Sequence, residues 1–227
     1  MDASAAGSRA FGRPLDAAFA ALLLLSLCAC GSKSPSSPEP SPSPPEPTPP
    51  PEADIVLGAP YAVSAEFKYI YPGYSASAGA PWGFVHQGLD LIAAGARGRL
   101  IAPASGTVEQ VEIYQNEHNG KWQVNLSVRH NARFVYHVLF EPGATSRDRV
   151  QQQRDAVPLS PGQPVTPGQA LGDVLDLSDG HDDPTAHVDL WKGDQNICPE
   201  PYFTSAARAG LLALLRAKHP GALLCYP

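Results

Sequence analysis

The sequence predicts a mainly β protein, with an antiparallel β sandwich or barrel-like core and a C-terminal helix. Three observations support this fold class. Short apolar alternations recur through residues 55–193, glycine and proline separate them at short intervals, and helical periodicity is convincing only near the end of the chain. Many short strands punctuated by turn residues are typical of all-β cores.

Residues 1–29 have the pattern of an export signal. Arg9 and Arg13 precede an apolar run from Ala17 to Leu27, which is shorter than the about 20 residues that span a bilayer. The ending Leu27-Cys-Ala-Cys30-Gly resembles a bacterial lipobox, which predicts that Cys30 becomes the lipidated first residue of the mature chain. A plain secretory leader with incidental cysteines is the alternative.

Residues 30–54 predict a disordered tether. Proline, serine and glutamate dominate this segment, and prolines are concentrated between Pro35 and Pro51. Such a composition favours extended polyproline II at about 3.1 Å per residue, so the segment would hold a domain roughly 60–70 Å from a membrane. A proline-rich ligand for another protein is the alternative interpretation.

The folded domain is predicted to occupy residues 55–227. Ala62–Tyr71 alternates and is broken by Pro72-Gly73, which indicates a strand and a turn. Residues 75–83 are rich in glycine, alanine and serine, so we expect a loop that leads into the first site strand. Loops at such places often line functional sites.

A hairpin is predicted further along. Glu117-His-Asn-Gly120 lies between two apolar alternations, Val108–Tyr114 and Trp122–Arg129, and Asn-Gly readily adopts the positive φ that hairpin turns require. Phe134–Phe140 follows as another strand. Residues 161–168 then combine three prolines with two glycines before the next apolar segment.

The extension from about residue 194 to residue 227 contains the one convincing helix. Thr204 or Ser205 is a suitable cap for a leucine- and alanine-rich run that Pro220-Gly221 ends. Cys198 and Cys225 flank this helix, and in an oxidising envelope we expect them to form a disulfide. Closing a loop of that length is worth about 3 kcal/mol in the chain-entropy model. Free buried thiols are the alternative.

Three stretches carry the candidate site residues: His86-Gln-Gly-Leu-Asp90, His187-Val-Asp189, and His137 within an apolar strand. If the first stretch is a strand, His86, Gly88 and Asp90 point to one face, and the glycine leaves space for a metal ion between imidazole and carboxylate. Three strands are thus predicted to converge on one polar site.

The order of five motifs resembles the lysostaphin-type (LytM-like) zinc endopeptidases of bacterial cell walls. The resemblance covers residues 55–193 and leaves the leader, the tether and the C-terminal helix unexplained. It implies the antiparallel β core of that family, the LytM or duplicated-hybrid-motif type, with its site in a groove on one sheet. The motifs are Trp82–Asp90, Ile101–Val108, Tyr136-His137-Val-Leu139, Val165–Gly172 and Ala186–Leu190.

The resemblance also implies roles for single residues. His86 and Asp90 match the first two zinc ligands of the family. His137 matches the histidine that positions the reacting water and carbonyl, and His187 matches the general base. The third ligand is normally the second histidine of a His-x-His pair, and Asp189 stands at that position here.

Asp189 as a ligand would change the chemistry of the site. Two carboxylates and one imidazole formally neutralise a divalent ion, whereas two imidazoles and one carboxylate leave one positive charge to acidify a bound water. We therefore expect weak zinc binding and slow or absent turnover. Because aspartate is shorter than histidine, His181 or Asp183 is a further candidate to complete the ligand set.

These observations predict a lipid-anchored zinc metalloendopeptidase that cleaves peptide bonds in peptidoglycan cross-bridges. The alternative is a catalytically degenerate domain that binds peptidoglycan or regulates a cell-wall hydrolase partner. The chain also resembles envelope lipoproteins that have glycine after the lipidated cysteine, and this resemblance implies anchorage in the outer membrane, facing the periplasm. The net charge of −6 and the absence of clustered Lys and Arg argue against nucleic acid as a partner.

Overall fold

The structure, a computed structural model, describes residues 54–180 and 182–227. The predicted signal peptide, Cys30 and all of the tether except Asp54 lie outside the described residues, as does His181. Within the described part of the chain, no helix has both the length and the apolar character needed to cross a bilayer.

The described residues form twelve strands and two α-helices, with short 3-10 turns at Ser64–Glu66 and Glu200–Tyr202. The helices are α1 (Arg147–Asp155) and α2 (Ser205–Lys218). The strands are β1 (Phe67–Ile70), β2 (Tyr74–Ser75), β3 (Leu89–Ala93), β4 (Arg97–Ile101), β5 (Gly106–Gln115), β6 (Trp122–Arg129), β7 (Phe134–Ala144), β8 (Pro164–Val165), β9 (Ala170–Leu175), β10 (Thr185–Lys192), β11 (Gln195–Ile197) and β12 (Cys225–Tyr226).

One large antiparallel sheet dominates the architecture. Its strand order is β1-β3-β10-β7-β6-β5-β8, and β11 pairs with β10. Two small sheets accompany it, an antiparallel β4–β9 pair and a parallel β12–β2 pair. The prediction of a mainly β, antiparallel fold is confirmed.

The large sheet has one apolar face and one polar face, as the alternation in β7 illustrates. Phe134, Tyr136, Val138 and Phe140 are fully buried, whereas the residues between them face the other side. Side chains two apart along a strand share a face, so this pattern directs His137 away from the hydrophobic core. The candidate site therefore lies on the polar face.

The predicted hairpin is present between β5 and β6. Gln115 pairs with Trp122, and Gly120 has a φ of +69°, a conformation that glycine adopts without strain. The hairpin brings two of the longest strands side by side and extends the sheet that carries the site.

The C-terminal helix and the disulfide are confirmed. The side chain of Thr204 caps α2 by accepting from the backbone N–H of Ala207, and Leu211 and Leu215 are completely buried. A disulfide joins Cys198 to Cys225. The tail of the chain is thereby fixed to the domain.

The expectation that only the end of the chain is helical is wrong, because α1 forms after β7. Ser146 caps this polar helix by accepting from the N–H of Arg149, and Val150 is its only buried apolar residue. Gln153 is also buried, and its amide bonds the backbone of Asp173 and Leu175 on β9. These tertiary bonds replace the apolar stripe by which surface helices are recognised.

Candidate metal centre

Three adjacent strands, β3, β10 and β7, bring four of the candidate residues together. In the antiparallel register His187 lies opposite Asp90 of β3, and Asp189 lies opposite His137 of β7. Directly opposed residues in a sheet have neighbouring side chains. The register therefore creates two imidazole–carboxylate pairs, one on each side of β10.

His86 joins the site from the loop before β3. Its Nδ1 lies 2.9 Å from the carbonyl oxygen of Gly73, and its Nε2 lies 3.3 Å from Oδ1 of Asp90. Because a carbonyl only accepts, Nδ1 carries the proton and Nε2 directs its lone pair into the site. A histidine ligand held by a backbone carbonyl is typical of metal centres.

His187 completes a compact group with His86 and Asp90. Its Nδ1 is 2.7 Å from Oδ1 of Asp90, and its ring stands perpendicular to that of His86 at 4.9 Å between centroids. Ligand-type atoms of these three residues all lie within 4.8 Å of one another. Two imidazoles and one carboxylate at this separation are a donor set that suits zinc with an open fourth position.

Gly88 has a different role from the one its spacing predicts. The segment is not one continuous strand, since β3 begins at Leu89 and His86 makes an isolated bridge with Ser75. A Cβ at Gly88 would lie 2.5 Å from Nε2 of His187 and 2.6 Å from the carbonyl oxygen of Val188. The space beside this glycine is thus occupied by the His187 ring, which needs it to reach Asp90.

Asp189 is buried and lies between His137, its partner on β7, and His187 of the other pair. Its Oδ1 is 2.8 Å from Nδ1 of His137, and its Oδ2 is 3.7 Å from Nε2 of His187. The proposal that Asp189 is a ligand and His187 a general base stays a prediction. The geometry favours the converse, with His187 among the ligands and Asp189 holding the ring of His137.

The electrostatics of the group favour a bound cation. Burial raises the pKa of Asp90, but the neighbouring imidazoles of His187 and His86 outweigh burial and lower this pKa to about 2. Burial also opposes ionisation of Asp189, yet the nearby imidazoles of His137 and His187 lower its pKa. Burial lowers the pKa of His187, but the neighbouring carboxylates of Asp189 and Asp90 outweigh burial and raise this pKa well above its usual value. The half-buried carboxylate of Asp90 and the buried carboxylate of Asp189 therefore stay ionised beside the protonated His187 ring, whose proton a metal ion would displace.

Two clefts flank the group along β10. The side chains of Thr185, His187, Asp189 and Trp191 follow one another on the polar face of this strand. Thr185 lines a cleft of about 300 Å³ at one end, and Trp191 lines a cleft of about 410 Å³ at the other. A ligand lying along β10 would cross the histidine group between these clefts.

Glu141 lines one of these two clefts, and the sequence did not identify it as a candidate site residue. It lies opposite Thr185 and lines the same cleft, together with Tyr69, Tyr71 and Gln123. Burial, followed by the nearby charge of Asp90, raises the pKa of Glu141 to about 8. The signal was available, because Glu141 follows His137 by four residues and a strand that continues past Phe140 puts both on one face.

Other polar candidates are engaged away from the group. Asp183 lies 2.6 Å from Nζ of Lys68, and Asp182 lies 3.1 Å from Nζ of Lys121, so neither joins the three ligand candidates. His130 binds the carbonyl of Ser105 through Nδ1, and the ring of His219 stacks on Tyr71 at the end of α2. These contacts indicate structural roles for His130 and His219.

Comparisons with solved structures give eight matching chains, and LytU and lysostaphin are among the similar structures. LytU is 19 % identical over 67 % of this chain and 90 % of its own, with a TM-score of 0.37. Lysostaphin, described by its NMR solution structure, is 17 % identical over 73 % of this chain and 60 % of its own, with a TM-score of 0.40. No family model and no curated protein sequence matches the chain. At these TM-scores the likeness to the two structures supports no conclusion about function.

Proposed function

We propose that this protein is an envelope zinc metallopeptidase that hydrolyses peptide bonds in peptidoglycan cross-bridges. The observation that carries the proposal is the convergence of His86, Asp90 and His187, whose ligand-type atoms lie within 4.8 Å of one another. The family resemblance of the five sequence motifs supports peptidoglycan as the substrate. The groove along β10, open on both sides of the group, suits an extended peptide.

His86, Asp90 and His187 are the residues that would hold zinc. The donor set fits, since three protein ligands of these types are usual in catalytic zinc sites and the carboxylate is already ionised. Zinc, when bound, supplies a Lewis acid and lowers the pKa of a coordinated water towards about 7. With one carboxylate instead of two, the ligands leave a formal positive charge on a divalent ion, which favours this chemistry.

His137 and Asp189 would handle the proton. Asp189 holds Nδ1 of His137 at 2.8 Å, so Nε2 is the nitrogen that can exchange a proton with a substrate in the groove. The side chain of His137 is also more exposed than that of His187, with an exposed fraction of 23 % against 11 %. A carboxylate that orients an imidazole and stabilises its protonated form is a familiar arrangement in general acid–base catalysis.

The proposed location is the periphery of the cell, with the domain tethered through Cys30 to the outer membrane and facing the periplasm. The lipobox-like ending and the polar segment 30–54 support this location, and the Cys198–Cys225 disulfide suits an oxidising compartment. Replacing Cys30 with serine is expected to move the protein from the membrane fraction to the soluble envelope fraction.

The decisive experiment measures metal content and peptide release together. The purified chain is expected to hold close to one zinc ion and to release peptides from isolated sacculi, and a chelator should abolish release until zinc is restored. His187→Ala should lose both properties. His118→Ala is the matched control, because His118 lies on the exposed hairpin tip.

Each outcome of this experiment decides between functions. A chain that binds zinc and sacculi without releasing peptides supports the alternative, a domain that binds peptidoglycan or regulates a cell-wall hydrolase. A metal-free and inactive wild-type chain contradicts the proposal.

A further inference from the structure

The last strand of the chain lies against the segment that carries His86. β12 pairs in parallel with β2, so that Cys225 lies opposite Tyr74 and Tyr226 opposite Ser75. The N–H of Tyr74 donates to the carbonyl of Leu224 at 3.0 Å, and the N–H of Ala76 donates to that of Tyr226 at 2.9 Å. The C-terminus therefore fixes β2, which precedes His86 by about ten residues.

Ser75 transmits this support to His86. It is 1 % exposed, and its backbone exchanges two hydrogen bonds with the backbone of His86, at 2.8 and 3.0 Å. Its hydroxyl also accepts from Nε1 of Trp82 at 2.8 Å and donates to the carbonyl of Phe84 at 2.7 Å. One small buried side chain thus ties the loop before His86 to β2.

Gly73 and Trp82 add two further connections. The carbonyl of Gly73 accepts from Nδ1 of His86, and a Cβ at Gly73 would meet both the Leu224 carbonyl and the Trp82 ring at 3.0 Å. The ring of Trp82 packs edge-on against Tyr226 at 5.2 Å between centroids. The group that orients His86 is consequently packed directly on the tail.

The disulfide links this tail to the strand of the other histidine ligand. Cys198 directly follows β11, which pairs with β10, the strand of His187. The amide of Asn196 on β11 also donates to the carbonyl of Gln87, next to His86, at 2.8 Å. Hydrogen bonds and the disulfide therefore connect His86 to β10 by way of β2 and the C-terminal residues.

We propose that residues 223–227 with the Cys198–Cys225 disulfide, here named the C-terminal brace, position His86 for metal binding through Ser75. This inference rests on the proposed metal site and goes beyond it. An imidazole in a loop is ordered only by its surroundings, and the brace fixes its distance from Asp90 and His187 before any ion arrives. Loss of such outer support typically lowers metal affinity about 10–100-fold.

The test measures metal affinity in variants of the full chain under conditions where each is folded. Zinc dissociation constants are obtained by competition with a chromophoric chelator, and cobalt spectra report the ligand geometry. Two variants interrupt this support: the double substitution Cys198→Ser with Cys225→Ser, which removes the disulfide of the brace, and Ser75→Ala, which keeps the brace and removes the hydroxyl that bonds Trp82 and Phe84. Serines replace both cysteines so that neither of these two positions leaves a free thiol that could bind zinc. We expect about 10–100-fold weaker zinc binding and an altered cobalt spectrum in both variants.

Ser178→Ala is the matched control for Ser75→Ala. Ser178 is also a buried serine, at 2 % exposed, and its hydroxyl bonds Asp176 and the carbonyl of Asp182, far along the chain from β2. Its substitution removes comparable hydrogen bonds and is expected to leave zinc affinity and the cobalt spectrum unchanged.

The outcomes separate this inference from the proposed function. Folded brace variants with wild-type zinc affinity would overturn the positioning role while leaving the metal site intact. Equal loss of affinity in Ser178→Ala would also overturn it, because the effect would then be one of general stability. A wild-type chain that takes up no metal would instead overturn the proposed function, on which the inference rests.

Discussion

The two imidazole–carboxylate pairs of the site have almost the same hydrogen-bond length and different surroundings. His187 meets Asp90 at 2.7 Å across β10 and β3, and His137 meets Asp189 at 2.8 Å across β7 and β10. The first pair is joined by Nε2 of His86, at 3.3 Å from Oδ1 of Asp90, whereas in the second pair the next imidazole is farther away, with Nε2 of His187 at 3.7 Å from Oδ2 of Asp189.

The difference indicates how one strand can serve two purposes. A carboxylate between two imidazoles gathers donors around a common point, which suits a cation. A carboxylate that bonds closely to one more exposed imidazole, as Asp189 bonds His137, fixes the tautomer of that ring and leaves its other nitrogen towards the groove, which suits proton transfer. The proposed metal group and the proposed acid–base pair are thus two residues apart along β10, at His187 and Asp189.

Removing a ligand from the first pair should have the largest effect. Asp90→Ala or His187→Ala leaves two donors, so we expect zinc affinity to fall far more than the about 10–100-fold that an outer partner contributes. Metal analysis after dialysis against a limiting zinc concentration measures this. Retention of stoichiometric zinc by His187→Ala would remove His187 from the ligand set and restore the role of general base that its sequence motif predicts.

Removing the imidazole of the second pair should separate chemistry from metal binding. His137→Ala is expected to keep its zinc and to lower the rate of peptide release by about 10²–10⁴-fold, the usual contribution of a general acid or base. Zinc content and peptide release are measured on the same preparation. If zinc is lost along with activity, the two pairs are not functionally distinct.

Substitution of Asp189 sharpens the comparison, because the two interpretations of this residue differ. If Asp189 is the partner of His137 and His187, Asp189→Asn should weaken zinc binding by about 10–100-fold, clearly less than Asp90→Asn does. If Asp189 is instead a metal ligand, Asp189→Asn should weaken zinc binding as much as Asp90→Asn does. Zinc titrations of the two variants side by side decide, and Asp189→His is expected to gain neither zinc affinity nor activity.

The fold could be predicted from the sequence wherever its signals are local. The alternation of Phe134–Phe140, the Asn119-Gly120 turn and the leucine-rich last helix each contain their own evidence. Helix α1 could not be predicted in this way. Its burial rests on Val150 and on Gln153, whose partners Asp173 and Leu175 are some twenty residues away in the sequence.

The residues of the site could be predicted as well, but their pairing could not. His86, Asp90, His137, His187 and Asp189 are recognisable by their motifs. Which carboxylate meets which imidazole depends on the register of β10 against two other strands, and a shift of one residue would turn every side chain of β10 to the opposite face. No local pattern within residues 185–189 specifies that register.

The last expected effect lies outside the two pairs and concerns Glu141 and the stability of the metal-free protein. Burial raises the pKa of this carboxyl to about 8 from a usual value of 4.5, so between those values the folded chain keeps a proton that the unfolded chain has released. Stability should therefore fall as pH rises through this window, by at most on the order of 1 kcal/mol per pH unit. Glu141→Gln, which cannot ionise, should remove this component of the decline.

Urea denaturation of the chelator-treated protein at pH 5, 7 and 9 measures the difference. Relative to wild type, Glu141→Gln should become progressively more stable towards high pH, while Glu117→Gln on the exposed hairpin tip should track wild type. Parallel curves for wild type and Glu141→Gln would show that Glu141 titrates alike in the folded and unfolded chains. Such a result would mean that the cleft beside Thr185 is hydrated well enough to hold Glu141 as an ionised carboxylate.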